Sequence, residues 1–128
     1  MKSLPVAEPD LRGNESKYVM ECLESTWISS LGKYISAFEE KFSSYCSVKY
    51  GVSTYNGTVA LQLALAALNI KEGDEVIVPA LTFIATANAV TYLGAKPVFV
   101  DADRKTWNMD VNKIKEKITD KTKAIIPV

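Results

Sequence analysis

Apolar residues recur along the chain at two different periods, and the change between them falls near Tyr50. Before it, Tyr18, Val19, Cys22 and Leu23 stand at helical spacing and predict a helix that starts at Gly13 or Asn14 and ends before Ser25. A second helix is predicted over 33–45, where Tyr34, Ala37, Phe38, Lys41, Phe42 and Tyr45 follow one another by threes and fours. Phe38, Phe42 and Tyr45 are its expected buried face. Residues 1–12, with Pro5 and Pro9, read as an extended arm. Residues 26–32 (TWISSLG) read as a loop of hydroxyls around one large aromatic.

After Tyr50 the pattern becomes short β-rich runs alternating with helices. Strands are predicted at 50–54, 75–79, 96–100 and 123–128, and helices at 58–68, 83–93 and 111–118. Gly94 stands where glycine commonly closes a helix. Runs of apolar β-formers separated by helices predict an α/β fold, with a mostly parallel sheet buried on both faces and flanking helices. Such a sheet needs more covering helices than these residues supply. The 128 residues are therefore expected to be the N-terminal portion of a larger α/β protein.

Composition narrows the function. Fifteen basic residues offset fifteen acidic ones, so no net field draws the chain to nucleic acid or an anionic membrane. There is no histidine, which removes Ser-His and Cys-His nucleophile systems and His-ligated metals within these residues. Cys22 and Cys46 form no CxxC pair and are expected as free, buried thiols in a reducing cytoplasm. The N-terminus lacks the apolar core of a signal peptide, and the weakly polar run 76–100 is too interrupted to cross a membrane.

Three segments carry candidate chemistry. In 54–61 (TYNGTVAL) a strand end passes into a helix start. There Gly57 allows close backbone approach, and Thr58 lies near free N–H groups that favour a phosphate or carboxylate. The competing reading is an N-capped turn without ligand. The segment is too short for a Walker A loop and lacks GxGxxG spacing, which disfavours ATP and NAD. In 79–88 (PALTFIATAN), Phe83 either covers a flat ring at a strand's C-terminal end or belongs to the core, with the threonines capping the next helix. Trp27, flanked by Thr26, Ser29 and Ser30, suits a polar ligand such as a sugar or else plugs the core. Asp101 and Asp103 read as turn caps, and a metal is rejected there.

Taken in order, LPVAEPDL, GNESKYV, STWISSLGKYISAFEEKFSSYC, VKYGVSTYNGTVALQLALAAL, GDEVIVPALTFIATANAV, GAKPVFVDAD and ITDKTKAIIPV span nearly the whole chain. In these segments it resembles the DegT/DnrJ/EryC1/StrS family of pyridoxal-phosphate (PLP) sugar aminotransferases. The resemblance implies the type I (aspartate aminotransferase) fold, with these residues as the N-terminal part of the large PLP-binding domain. It implies that Gly57 and Thr58 bind the PLP phosphate and that Phe83 stacks on the pyridine ring. Asn56, Trp27, Ile28, Ser29 and Ser30 would line the sugar-nucleotide side of the pocket.

The WISS loop and the TFIATANAV segment look most like members that transfer an amino group from glutamate to carbon 4 of GDP-4-keto-6-deoxymannose, giving GDP-perosamine for polysaccharide biosynthesis. A UDP- or dTDP-linked keto sugar, a 3-keto position, a dehydratase with histidine in place of the lysine, or a non-catalytic fragment are the alternatives. No lysine of this sequence matches the family's Schiff-base lysine, which is expected beyond Val128, and the 128 residues alone are expected to be inactive. A cytoplasmic homodimer is implied for the complete protein.

Overall fold

A computed structural model describes residues 4, 5 and 7–128. The chain forms two compact units, Met1–Ser53 and Thr54–Val128. In the first, residues 4, 5 and 7–12 form neither helix nor strand, as expected of the arm; its remaining residues, 1–3 and 6, lie outside the described set. Helices α1 (Glu15–Glu24) and α2 (Lys33–Tyr45) follow. The Tyr18 and Tyr34 rings meet at 5.0 Å, and Phe38 and Phe42 stack on each other at 5.4 Å.

Three sequence expectations are corrected in this unit. Phe38, Phe42 and Tyr45 are exposed, and Ser43 is the only described residue of α2 that is buried. Helical spacing identifies a shared face but not what covers it. Both cysteines are free, but Cys22 is half-buried and Cys46 exposed. Residues 50–54 form no strand. The Glu39 carboxylate takes the N–H and the hydroxyl of Ser53, both at 2.8 Å, so a side chain satisfies this backbone where a ladder partner was expected. These bonds hold the Glu39 carboxyl below its ordinary range.

The second unit contains α3 (Gly57–Ala67), β1 (Glu75–Pro79), α4 (Ala85–Thr91), β2 (Lys96–Val100), α5 (Val111–Ile114) with a 3₁₀ turn at Lys115–Lys117, and β3 (Thr122–Ile125). All three strands are parallel, in the order β2-β1-β3. Alternation along β1 sends Val76 and Val78 into a core with Leu65 of α3 and Ala89 and Val90 of α4. Ile77 faces the opposite way, against Val100 and Met109, with Ile114 packed beside them. The predicted parallel sheet is present with three strands, but only the central β1 is covered on both faces, while β2 and β3 are half-buried or exposed along much of their length. Gly94 ends α4 at φ +74, its N–H donating to the Thr91 carbonyl at 2.9 Å.

Glu75, 8% exposed, ties the start of β1 to both neighbours. Its carboxylate accepts from Thr119 Oγ1 at 2.7 Å and from Lys96 Nζ at 3.0 Å. The Thr119 hydroxyl and then the Lys96 ammonium hold the carboxyl below its ordinary value. A depressed folded-state value stabilises the fold above the unfolded pKa, and that contribution is lost as pH falls through the folded value. Glu75→Gln is therefore expected to lower stability at neutral pH and to flatten its acid dependence, read by urea denaturation from neutral to acid pH. Ile77→Ala, at a fully buried site, is expected to cost about 2–5 kcal/mol in the same assay.

Candidate functional site

Residues 68–74 connect α3 to β1, and Leu61 and Leu65 of the helix pack with Val76 and Val78 of the strand, so the helix runs back along the strand. An 11-residue helix and a five-residue strand are each about 16 Å long. The N-terminus of α3 therefore lies toward the end of the sheet where β1 finishes. That is the side on which open α/β sheets bind ligands.

At this N-terminus Asn56 is extended (φ −162, ψ 169), and its Oδ1 accepts from the Val59 N–H at 3.0 Å. Thr54 Oγ1 donates to the Asn56 carbonyl at 3.1 Å. The cap serves the third helical N–H, while those of Gly57 and Thr58 have no acceptor within the helix. A Cβ placed on Gly57 would meet nothing within 4 Å, so the space beside this backbone is open. The Thr58 hydroxyl has no hydrogen-bond partner among the described residues. The Asn56 cap is present, and it leaves two N–H groups and a hydroxyl at the positive end of the helix. That donor set fits a phosphate monoester.

After β1, Phe83 is 81% exposed, which corrects the core alternative. Thr82 and Thr86 pair through their hydroxyls at 3.0 Å, with Thr86 buried, so the threonines satisfy each other instead of capping α4. An aromatic face left in solvent beside the strand's C-terminal end fits a planar ring. Gly57, Thr58 and Phe83 thus carry groups that match a phosphorylated pyridine such as PLP.

In the other unit, the loop after α1 also lies open. Trp27 is 57% exposed and is no core plug. Trp27, Ile28 and Ser29 line a cavity of about 430 Å³ together with Cys22, Tyr34 and Lys33, while Ser30 is exposed outside it. Thr26 adopts φ +61, a left-handed turn that swings the chain into this loop. The loop's two ends are joined by Glu21, whose Oε2 accepts from Lys33 Nζ at 2.7 Å and from the Tyr34 hydroxyl. Lys33 and then Tyr34 hold the Glu21 carboxyl low, and the same bond raises the Tyr34 phenol. Sequence reading missed this group, because Glu21 falls on a helix among charged neighbours and gives the signal of a solvated face.

Asp103 caps a turn as expected, accepting from the Thr106 N–H at 2.8 Å and the Lys105 N–H at 3.0 Å. Asp101 pairs with Lys113 at 3.2 Å. Among the described residues no group of three or more Cys, Asp or Glu side chains is placed to hold a metal, and no helix is long and apolar enough to cross a membrane.

A model of the DegT/DnrJ/EryC1/StrS aminotransferase family matches residues 9–128. The chain belongs to this family. Over all 128 residues it is 59% identical to the GDP-perosamine synthase of Escherichia coli O157:H7, covering 35% of that protein. The chain therefore spans about a third of the length of the curated relatives it matches. Among solved structures it is similar to Spr1654 of Streptococcus pneumoniae in its PMP form, with TM-score 0.89 and 38% identity, over 98% of this chain and 32% of that one. It is also similar to the E. coli GDP-4-keto-6-deoxy-D-mannose-3-dehydratase solved with hydrated PLP, with TM-score 0.85 and 34% identity, over 99% and 34% of the two chains. The type I fold class expected from the sequence is the one found.

Replacing the cap tests the local geometry of this family member directly. Asn56→Ala is expected to cost about 0.5–2 kcal/mol and Asn56→Gly only a few tenths, measured by urea denaturation.

Proposed function

We propose that the complete protein is a PLP-dependent aminotransferase of a nucleotide-linked keto sugar, and that residues 1–128 supply the N-terminal portion of its large cofactor-binding domain. The substrate on this reading is GDP-4-keto-6-deoxymannose, with glutamate as amino donor and GDP-perosamine as product. The observation that carries it is the 59% identity to a GDP-perosamine synthase sustained over the whole chain. A homodimer in the cytoplasm belongs to the same reading.

Bound PLP supplies an electron sink that makes the carbon bearing the amino group acidic. This chain's residues do the holding. The Gly57 and Thr58 N–H groups and the Thr58 hydroxyl take the phosphate, where the helix end adds about half a positive charge. Phe83 covers one face of the ring and keeps water from it. Asn56, with its Oδ1 committed to Val59, offers its Nδ2 donors to substrate. Trp27, Ile28, Ser29 and Ser30 contact the nucleotide sugar. The proton-transferring lysine is assigned outside these residues, in line with the resemblance.

The dehydratase among the structural neighbours favours one second reading, removal of a hydroxyl from the same sugar nucleotide. The two separate by product. The aminotransferase consumes one glutamate per amino sugar formed, whereas the dehydratase leaves a deoxy sugar.

In the full-length protein, an absorbance band near the visible edge should survive gel filtration after loading with PLP and be bleached by glutamate. Thr58→Ala and Phe83→Ala should each weaken PLP retention about tenfold, the equivalent of about 1.4 kcal/mol for one charge-assisted hydrogen bond or one stacked face. Unchanged retention in both variants rejects these site assignments. Amination of UDP- or dTDP-linked keto sugars in preference to the GDP sugar rejects the substrate assignment.

A further inference from the structure

We propose that Glu21 is a positioning residue that fixes the Trp27–Ser30 loop in the shape that receives the nucleotide sugar. The inference rests on the reading above that this loop contacts the substrate. It goes further by assigning the loop's geometry to a group outside it.

The connection from α1 to α2 runs from Ser25 to Gly32, and a free eight-residue loop has many shapes. Here its two ends are held by a single carboxylate oxygen. Glu21 lies in the last turn of α1. Lys33 and Tyr34, the first two residues of α2, both donate to Glu21 Oε2. The arrangement is braced by rings: Tyr34 lies against Tyr18 at 5.0 Å, and the Lys33 ammonium sits 4.9 Å over the Tyr34 ring. An exposed ion pair alone contributes little, but a carboxylate that accepts a phenol and an ammonium together fixes two directions. Lys33 and Tyr34 also line the 430 Å³ cavity with Trp27, Ile28 and Ser29, whereas Glu21 does not. Moving Glu21 therefore changes the cavity wall through Tyr34 and Lys33, without removing any group that touches its contents.

The test compares full-length wild-type enzyme with Glu21→Gln and Tyr34→Phe. Glutamine keeps the shape but loses the charge that both donors seek. It is expected to raise KM for the keto-sugar nucleotide about tenfold while kcat stays within about twofold. PLP retention and the rate of the reaction with glutamate alone are expected to match wild type. Amide hydrogen exchange should quicken in residues 25–32 and stay unchanged in 57–68. Tyr34→Phe, which removes one of the two donors, should raise KM about threefold.

An unchanged KM with unchanged exchange in 25–32 overturns the proposal. So does a loss shared equally by PLP retention and the glutamate reaction, because that is general destabilisation. If Glu21→Gln fails to fold, Glu21→Asp, which keeps the charge but shortens its reach, is read by the same criteria. A wild-type enzyme that converts no keto-sugar nucleotide overturns the underlying reading and this proposal with it. Wild-type activity with an indifferent Glu21→Gln overturns the proposal alone.

Discussion

Every residue of β1 is buried, and a parallel strand in that position cannot rest on local contacts alone. Its backbone needs a partner on each edge, supplied by β2 and β3. Its two faces need separate covers because successive side chains point opposite ways. Val76 and Val78 draw α3 and α4 to one face, and Ile77 draws Met109 and Ile114 to the other. Burying a Val or Ile side chain is worth about 1.5–3 kcal/mol. Three in succession make this strand the seat of the unit. Glu75 then does with charge what the valines do with area, linking Lys96 and Thr119 across the start of all three strands.

The ligand end follows from the same constraint. Helix α3 packs through Leu61 and Leu65 on the strand that follows it, so its N-terminus lies toward the end of that strand. The polarity of the backbone then decides what that end can bind. Unmatched N–H groups and the helix dipole favour an anion. The Asn56 cap uses Val59 and spares Gly57 and Thr58, which keeps the helix stable while leaving donors for a phosphate. A stronger cap on the first N–H groups would stabilise the helix and close the site.

Interactions that are regular and close in sequence were legible before any coordinates. The runs EVIVP and KPVFV appear as β1 and β2 over the same residues expected, and Lys33–Tyr45 is the helix its spacing predicts. Reading failed where a single long-range side chain decided the outcome. Residues 50–54 look like a strand until the Glu39 carboxylate takes Ser53, fourteen positions away. Burial was misjudged for Phe38, Phe42 and Tyr45 because periodicity shows which residues share a face and not what lies on it. At the candidate site, the Asn56-Gly57-Thr58 turn was readable because its bonds are local. Phe83 stayed ambiguous between core and ligand until its exposure was known. Glu21 was invisible, since its partners lie twelve and thirteen residues on and no spacing rule links them.

The two candidate ligand elements are built on different physics, and this bears on how each can vary. The helix end at α3 presents backbone N–H groups, the Asn56 cap and the Thr58 hydroxyl, so side chains outside Asn56, Gly57 and Thr58 may change while that turn keeps its conformation. The loop at 25–32 has backbone bonds at its start, where Thr26 donates to Leu23 and Ile28 to Thr26. Its shape depends on a left-handed Thr26 and on the side-chain knot of Glu21, Lys33 and Tyr34. Each set closes its hydrogen bonds within itself, and groups without shared partners contribute nearly additively. Substitutions in the knot are therefore expected to change the loop's shape while the end of α3 keeps its free N–H groups.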